Sequence, residues 1–361
     1  MADTPNRQYS RRAFLRLAAG TTATLLLPGC RRTATPGTPE PVRHGWVETG
    51  AYRKRPPWRL GRSSRGDIGP WMVMFSAHVE YGVREAYQAF FGGYLPIAAN
   101  WDPNKQIEDI RALLTQEIDL LLIDPLDTTV VAQGLTEAMA AGVPVILAST
   151  RVSGAPYVSW VATDAEERGA NCAAWLCSSI AGGRVAVLHS WWAAGDTELW
   201  LRGVRRQLEE HVAIEATFAQ CAWSVDGARQ AMTDILRESG GVEGVLVQSG
   251  VLGRGAVEAL AERGEDMPLL AGVDDWNGWL RTAQAHSVRF LAQSGGTSLG
   301  LRCVQLATQV LAGERVPAWI DFPYETFDQT TLNRYLRPDL SDHYWAIHDL
   351  PEIWIERMFN V

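Results

Sequence analysis

Asp124 and Arg151 each follow a short apolar run, Asp124 directly after residues 118–123 and Arg151 just beyond 143–148. A carboxylate accepts hydrogen bonds in pairs and a guanidinium donates them in pairs, so together they can grip the hydroxyls of a small polar guest. A second set comes later, with Ser249 after 244–247 and Asp274-Asp275 after 269–273. Covalent chemistry finds less support. The chain has no GxSxG elbow, P-loop or HExxH. Gly250, Gly253 and Gly255 follow a strand pattern and open a helical one, but they lack GxGxxG spacing. Adjacency of Asp274 and Asp275 does not by itself make an acid–base pair. Cys172, Cys177, Cys221 and Cys303 form no CxxC and no cluster with metal-ligand spacing. No catalytic residue, metal or cofactor is therefore assigned, and disulfide pairing stays open.

The elements that must position Asp124 and Arg151 are legible over residues 100–151. Asp102 is a good N-cap and Pro103 a good first helical residue, and Ile107, Ile110 and Leu114 recur at helical spacing until about Gln116. Residues 118–123 form a nearly wholly apolar run that suits a strand buried on both faces. The next helix carries Val131, Leu135 and Met139 on one face and stops at Gly142, before a second buried strand over 143–148. In open parallel sheets of this kind, ligands bind beyond the carboxyl ends of the strands.

The succession DPNKQ (102–106), IDLLLIDPLD (118–127) and AAGVPVILASTR (140–151) resembles the sugar-binding, ribose-binding-protein-like branch of periplasmic solute-binding proteins. The equivalent stretches there read NDPxKQ, DAIIxNPxD and AGIPVVxxDR, and the likeness runs from about residue 71 to about 327. It implies an α/β fold of the type I kind, with two Rossmann-like parallel-sheet lobes joined by a three-strand hinge. The first lobe would comprise 71–163 and 294–318, the second 164–293 and 319–330, with a C-terminal extension over 331–361.

Residues 71–75 read as a first strand, followed by a loop at 76–81, where the chain departs from the family's aromatic-bearing Asn-Pro-Phe-type loop and offers His78, Glu80 and Tyr81 as contacts, and by a helix over 83–91. Trp223 falls on the family's ring-stacking aromatic, with packing at the hinge as the alternative. Ser249 stands where the family commonly has asparagine, Asp274 matches its pocket aspartate and Gln293 its pocket glutamine, while Asp275 is expected to cap the following turn. Glu198 stands where the family often has an arginine, in a region that also holds Trp191, Trp192 and Asp196. That reversal of charge leaves a pentose, a hexose, an inositol or a positively charged guest open.

A chain of 361 residues is long for one compact core and comfortable for two lobes. Hydrophobic residues make up 47% and charged residues 20%, with a formal net charge of −8, a balance that argues against nucleic-acid binding. Ser10 to Arg16 looks like a twin-arginine export signal, followed by a short apolar region from Leu17 to Leu27 and by Leu27-Pro28-Gly29-Cys30, which resembles a lipobox. Residues 1–29 are read as a signal and Cys30 as a lipidation site, with an ordinary export signal as the alternative. Residues 30–70, rich in Pro, Gly, Arg and Thr, read as a flexible tether.

The expected protein is an exported, lipid-anchored monomer at the periplasm or cell surface. It would bind a sugar or polyol and serve an ABC permease and its ATPase. The alternative is a receptor subunit for a sensor kinase or chemoreceptor. A transcription regulator with the same core is disfavoured by the export signal, and an enzyme by the absence of catalytic motifs.

Overall fold

The computed structural model describes residues 45–66, 69–190, 194–294 and 296–360. The expected signal over 1–29, Cys30, the tether as far as 44, and Trp191 and Trp192 lie outside the described residues. The first half runs β1 (Trp46–Val47), β2 (Trp58–Ser64), α1 (Pro70–Tyr81), β3 (Phe91–Ala98), α2 (Pro103–Thr115), β4 (Leu120–Ile123), α3 (Val131–Ala140), β5 (Val145–Ala148) and β6 (Ser159–Ala162). The second half runs α4 (Ala165–Ser179), β7 (Gly183–Ser190), α5 (Ala194–Glu209), β8 (Ile214–Cys221), α6 (Val225–Ser239), β9 (Gly244–Val247), α7 (Gly250–Arg263), β10 (Leu269–Val273), α8 (Asn277–Ala285) and β11 (Phe290–Ser294). Then come α9 (Leu299–Ala312), β12 (Val316–Pro317), β13 (Trp319–Asp321), β14 (Glu325–Asp328), α10 (Leu332–Tyr335) and α11 (Glu352–Phe359).

These strands make two six-stranded sheets, ordered β13-β6-β5-β4-β2-β3 and β14-β11-β10-β9-β7-β8. The first is wholly parallel, and in the second only edge strand β14 runs antiparallel. The chain passes between the lobes after β6, after β11 and between β13 and β14. Strands β4, β5 and β9 are buried along their whole length, as their runs of Leu, Ile, Val, Ala and, in β9, Gly244 require. Helix α2 starts where expected, since the Asp102 carboxylate accepts the Asn104 and Lys105 N–H groups at 2.9 and 3.3 Å. Asp164 caps α4 in the same way through Glu167 N–H at 2.9 Å. Helices α4 and α5 touch backbone to backbone: a Cβ on Gly169 would lie 2.2 Å from the Trp200 carbonyl oxygen, and one on Gly203 2.0 Å from that of Glu166.

Four expectations need correction. The first long strand is β2, within the stretch read as tether, and residues 71–75 are helical. A short apolar run fits a buried helix as well as a buried strand, and α1 is apolar on two sides because it packs against two clusters. Strand β2 looks unlike a core strand because it carries Arg59, Arg62 and two serines, yet Trp58 and Leu60 enter the core and the Arg62 guanidinium lies 5.2 Å over the Phe75 ring. The helix expected over 83–91 is one wide turn at Gly82–Ala86 followed by β3, which the sequence reading missed. Finally, β13 pairs with β6, so 319–321 belongs to the first lobe.

Candidate functional site

Strand order brings the carboxyl ends of β2, β4 and β5 side by side, and with them Arg65, Asp124, Thr150 and Arg151. Asp124 is fully enclosed at 1% exposure. Arg65 donates from Nε to Asp124 Oδ2 at 2.8 Å and from its Nη2 to Oδ1. The same Nη2 reaches Thr150 Oγ1 at 3.2 Å, and that hydroxyl donates to Asp196 Oδ2 at 3.2 Å. Asp196 lies at the start of α5 in the second lobe, so one chain of polar contacts crosses the crevice. Gln106 fixes the near end, donating to the Asp124 carbonyl at 2.9 Å and accepting Leu126 N–H at 2.8 Å. Burial pushes the Asp196 carboxyl up to about 6, against the pull of Arg65 and Thr150. Burial would also lower the Arg65 guanidinium, but Asp124 outweighs it and the net shift is upward.

On the second wall, Ser249 caps α7 through Leu252 N–H at 3.5 Å. Asp274 Oδ2 accepts Gly250 N–H at 2.8 Å and Oδ1 accepts Trp276 N–H at 3.2 Å. Burial, reinforced by neighbouring Asp275, pushes the Asp274 carboxyl up to about 7. Trp223 follows β8 and is 41% exposed, an aromatic plane open to solvent in a molecule that buries most of its large apolar side chains.

Other expected contacts are placed differently. Arg151 is half-buried and donates from Nε to the Tyr157 hydroxyl at 3.4 Å. Gln293 is buried within the second lobe, its Oε1 accepting the Cys172 thiol at 3.0 Å. Glu198 lies exposed on α5. Asp275 does not cap the next turn: its Oδ2 accepts Ile347 N–H from the C-terminal extension at 2.7 Å.

His78, Glu80 and Tyr81 are a correction, because residues 76–81 belong to helix α1 rather than to a loop. His78 is fully buried, donating from Nδ1 to the Met74 carbonyl at 2.8 Å and accepting Asp349 N–H on Nε2 at 3.2 Å. Burial pushes its imidazole down to about 4. Glu80 pairs with Arg84 at 2.6 Å, and Tyr81 meets the Trp354 ring edge-on at 5.6 Å.

The segment entering α1 is instead Gly69-Pro70-Trp71, with Pro70 opening α1 and Trp71 stacked on Phe75 at 4.9 Å. Arg65 and Thr150 were missed. Placing the first strand at β2 would have put Arg65 at a strand end by the argument that found Asp124. Among the described residues no group of His, Cys, Asp and Glu is arranged to hold a metal ion, and no helix is long and apolar enough to cross a membrane.

Two parallel-sheet lobes joined by three crossovers, with polar groups meeting at the strand ends, define a two-lobed α/β protein of the type I periplasmic binding protein fold. Residues 70–315 match the family described as periplasmic binding protein domain, and the chain belongs to that family. The ribose import binding protein RbsB of Bacillus subtilis (strain 168) is 23% identical over 279 residues, covering 77% of this chain and 90% of the relative. Among solved structures, a periplasmic ribose ABC transporter protein from Conexibacter woesei DSM 14684 superposes with a TM-score of 0.69 at 22% identity, covering 77% of this chain and 94% of that one. An ABC transporter solute binding protein from Bacillus halodurans C-125 with bound myo-inositol gives a TM-score of 0.71 at 19% identity, covering 78% and 98%.

Proposed function

We propose that the chain is the extracytoplasmic substrate-binding component of an ABC importer. It takes a sugar or related polyol between its lobes and delivers it to a membrane permease served by an ATPase. The reading rests above all on one observation, the polar chain Asp124–Arg65–Thr150–Asp196, to which both lobes contribute at the carboxyl ends of parallel strands. A polyol needs such paired donors and acceptors, because each buried hydroxyl left unpaired costs about 1–3 kcal/mol. Trp223 adds an exposed aromatic plane on which the C–H face of a sugar ring packs. Arg151, Ser249 and Asp274 complete the proposed walls. In this reading Cys30 carries the lipid anchor, and the protein works as a monomer at the outer face of the membrane.

Thermal-shift measurement of the full chain against ribose, arabinose, fructose and myo-inositol tests the proposal, since a ligand selective for the folded state raises the melting temperature. At least one is expected to do so, and Trp223→Ala and Arg151→Ala are each expected to abolish the rise. A shift that survived both substitutions would remove the site. Recovery of altered sugar after incubation would replace binding by catalysis.

A further inference from the structure

Residues 331–361 follow the last sheet strand and lie outside the family match. Their first part is fastened to the second lobe around the turn that follows β10. Asn277 accepts Arg337 N–H at 3.1 Å on its Oδ1 and donates to the carbonyls of Arg337 and Leu340 at 2.9 and 3.1 Å. Trp276 pairs with Trp345 in a β-bridge, and Asp275 holds Ile347 N–H at 2.7 Å.

The chain then reaches α1 while Leu350 and Ile355 stay packed in the second-lobe core. Asp349 N–H donates to His78 Nε2 at 3.2 Å, Trp354 packs edge-on against Tyr81 at 5.6 Å, and Arg357 comes within 3.7 Å of Glu85. Because His78 Nδ1 donates to Met74, its Nε2 keeps a lone pair aimed at the extension.

Helix α1 is an element of the first lobe, where Phe75, Val79 and Val83 share a core with β2, β4 and α9. Its Met74 and Ala77 join the other core, together with Leu350 and Ile355 of the extension. The extension therefore packs on the second lobe along its length and reaches α1 of the first lobe through Asp349, Trp354 and Arg357. Strand β2, which feeds α1, stands three places from the crossover strand β6, roughly 14 Å at ordinary strand spacing.

We propose that residues 331–360 are an inter-lobe strap: a non-covalent fourth connection that ties α1 to the β10–α8 turn and limits how far the lobes swing apart. Three crossovers at one edge let two lobes turn about them; an attachment away from that edge must break or slide when they do. The strap's second-lobe anchor, Asp275, adjoins the proposed ligand group Asp274, so the grip on the guest and the grip on the strap share one turn. Only that last link rests on the proposed function.

The test is the distance between spin labels at Thr129→Cys and Asp226→Cys, exposed positions of opposite lobes in the turn before α3 and the first turn of α6, measured without ligand in the full chain carrying Cys30→Ser. The pair Trp354→Ala and Arg357→Glu loosens the strap on α1 and leaves its second-lobe anchor intact. It is expected to move the distance distribution to longer values and widen it, and a chain ending at residue 347 is expected to do the same. Hydrogen exchange over 348–360 reports whether the strap has lifted. If it has lifted and the distribution is unchanged, the strap is overturned. The outcome is independent of the sugar reading: longer distances with no sugar response keep the strap and dismiss the ligand.

Discussion

Arg65 and Asp124 bury opposite charges against each other, 12% and 1% exposed, so removing one strands the other. Arg65→Met is expected to cost about 3–5 kcal/mol in urea unfolding, and the double change Arg65→Met with Asp124→Leu to recover much of it. A double variant as unstable as the single one would show that the pair is not coupled. The buried carboxyls predict a pH dependence. Asp274, pushed up to about 7, keeps its proton to higher pH folded than unfolded, so its burial destabilises the fold progressively as pH rises through that value. His78, pushed down to about 4 from 6.5, acts in the opposite sense and only between those values. Half-buried His189 and His348 are lowered too and act in the same sense as His78, so the carboxyl trend is read as the difference between the parent and an Asp274→Asn variant. The melting temperature of Asp274→Asn relative to the parent is expected to rise between pH 6.5 and about 8, and a constant difference would mean that Asp274 is not protonated in the fold. At this scale the sequence revealed Asp124 but not what holds it, because its partner sits at the end of a strand whose Arg, Gly and Ser content hid it.

Legibility of the elements followed burial. Strands β4 and β5 and helix α2 carry their own signals, in unbroken apolar runs and an Asp-Pro start. Strand β2 carries almost none, since its place in the core depends on β3 and β4 on either side, a tertiary fact. The reverse error at α1 has the same root: a helix packed on two sides loses the polar face that would mark it. Contact between α4 and α5 makes a sharper prediction. Gly169→Ala puts a methyl 2.2 Å from a carbonyl oxygen with no flexible side chain to yield, and it is expected to cost about 1–3 kcal/mol in chemical unfolding. An unchanged midpoint would mean that the two helices separate without penalty.

For the whole molecule, two lobes and three crossovers were implied by the resemblance that the motif order carries, while the strap could not be foreseen because its partners are distant and lack a repeating pattern. If a sugar binds between the lobes, amides near Trp223 and near Asp124 should gain hydrogen-exchange protection together on its addition; protection confined to one lobe would place the guest elsewhere. The route of the chain also bears on synthesis. The first lobe draws α9 and edge strand β13 from beyond residue 298, after the entire run of β7 to β11 has been made. Leu299, Val304, Leu306 and Val310 cover the sheet face that Leu120, Leu122 and Ile146 present. A nascent chain must therefore hold its earliest strands half-clothed while the later lobe emerges, so the part translated first is completed nearly last, and a ribosome stalled before residue 299 carries an uncovered apolar face for chaperones to shield.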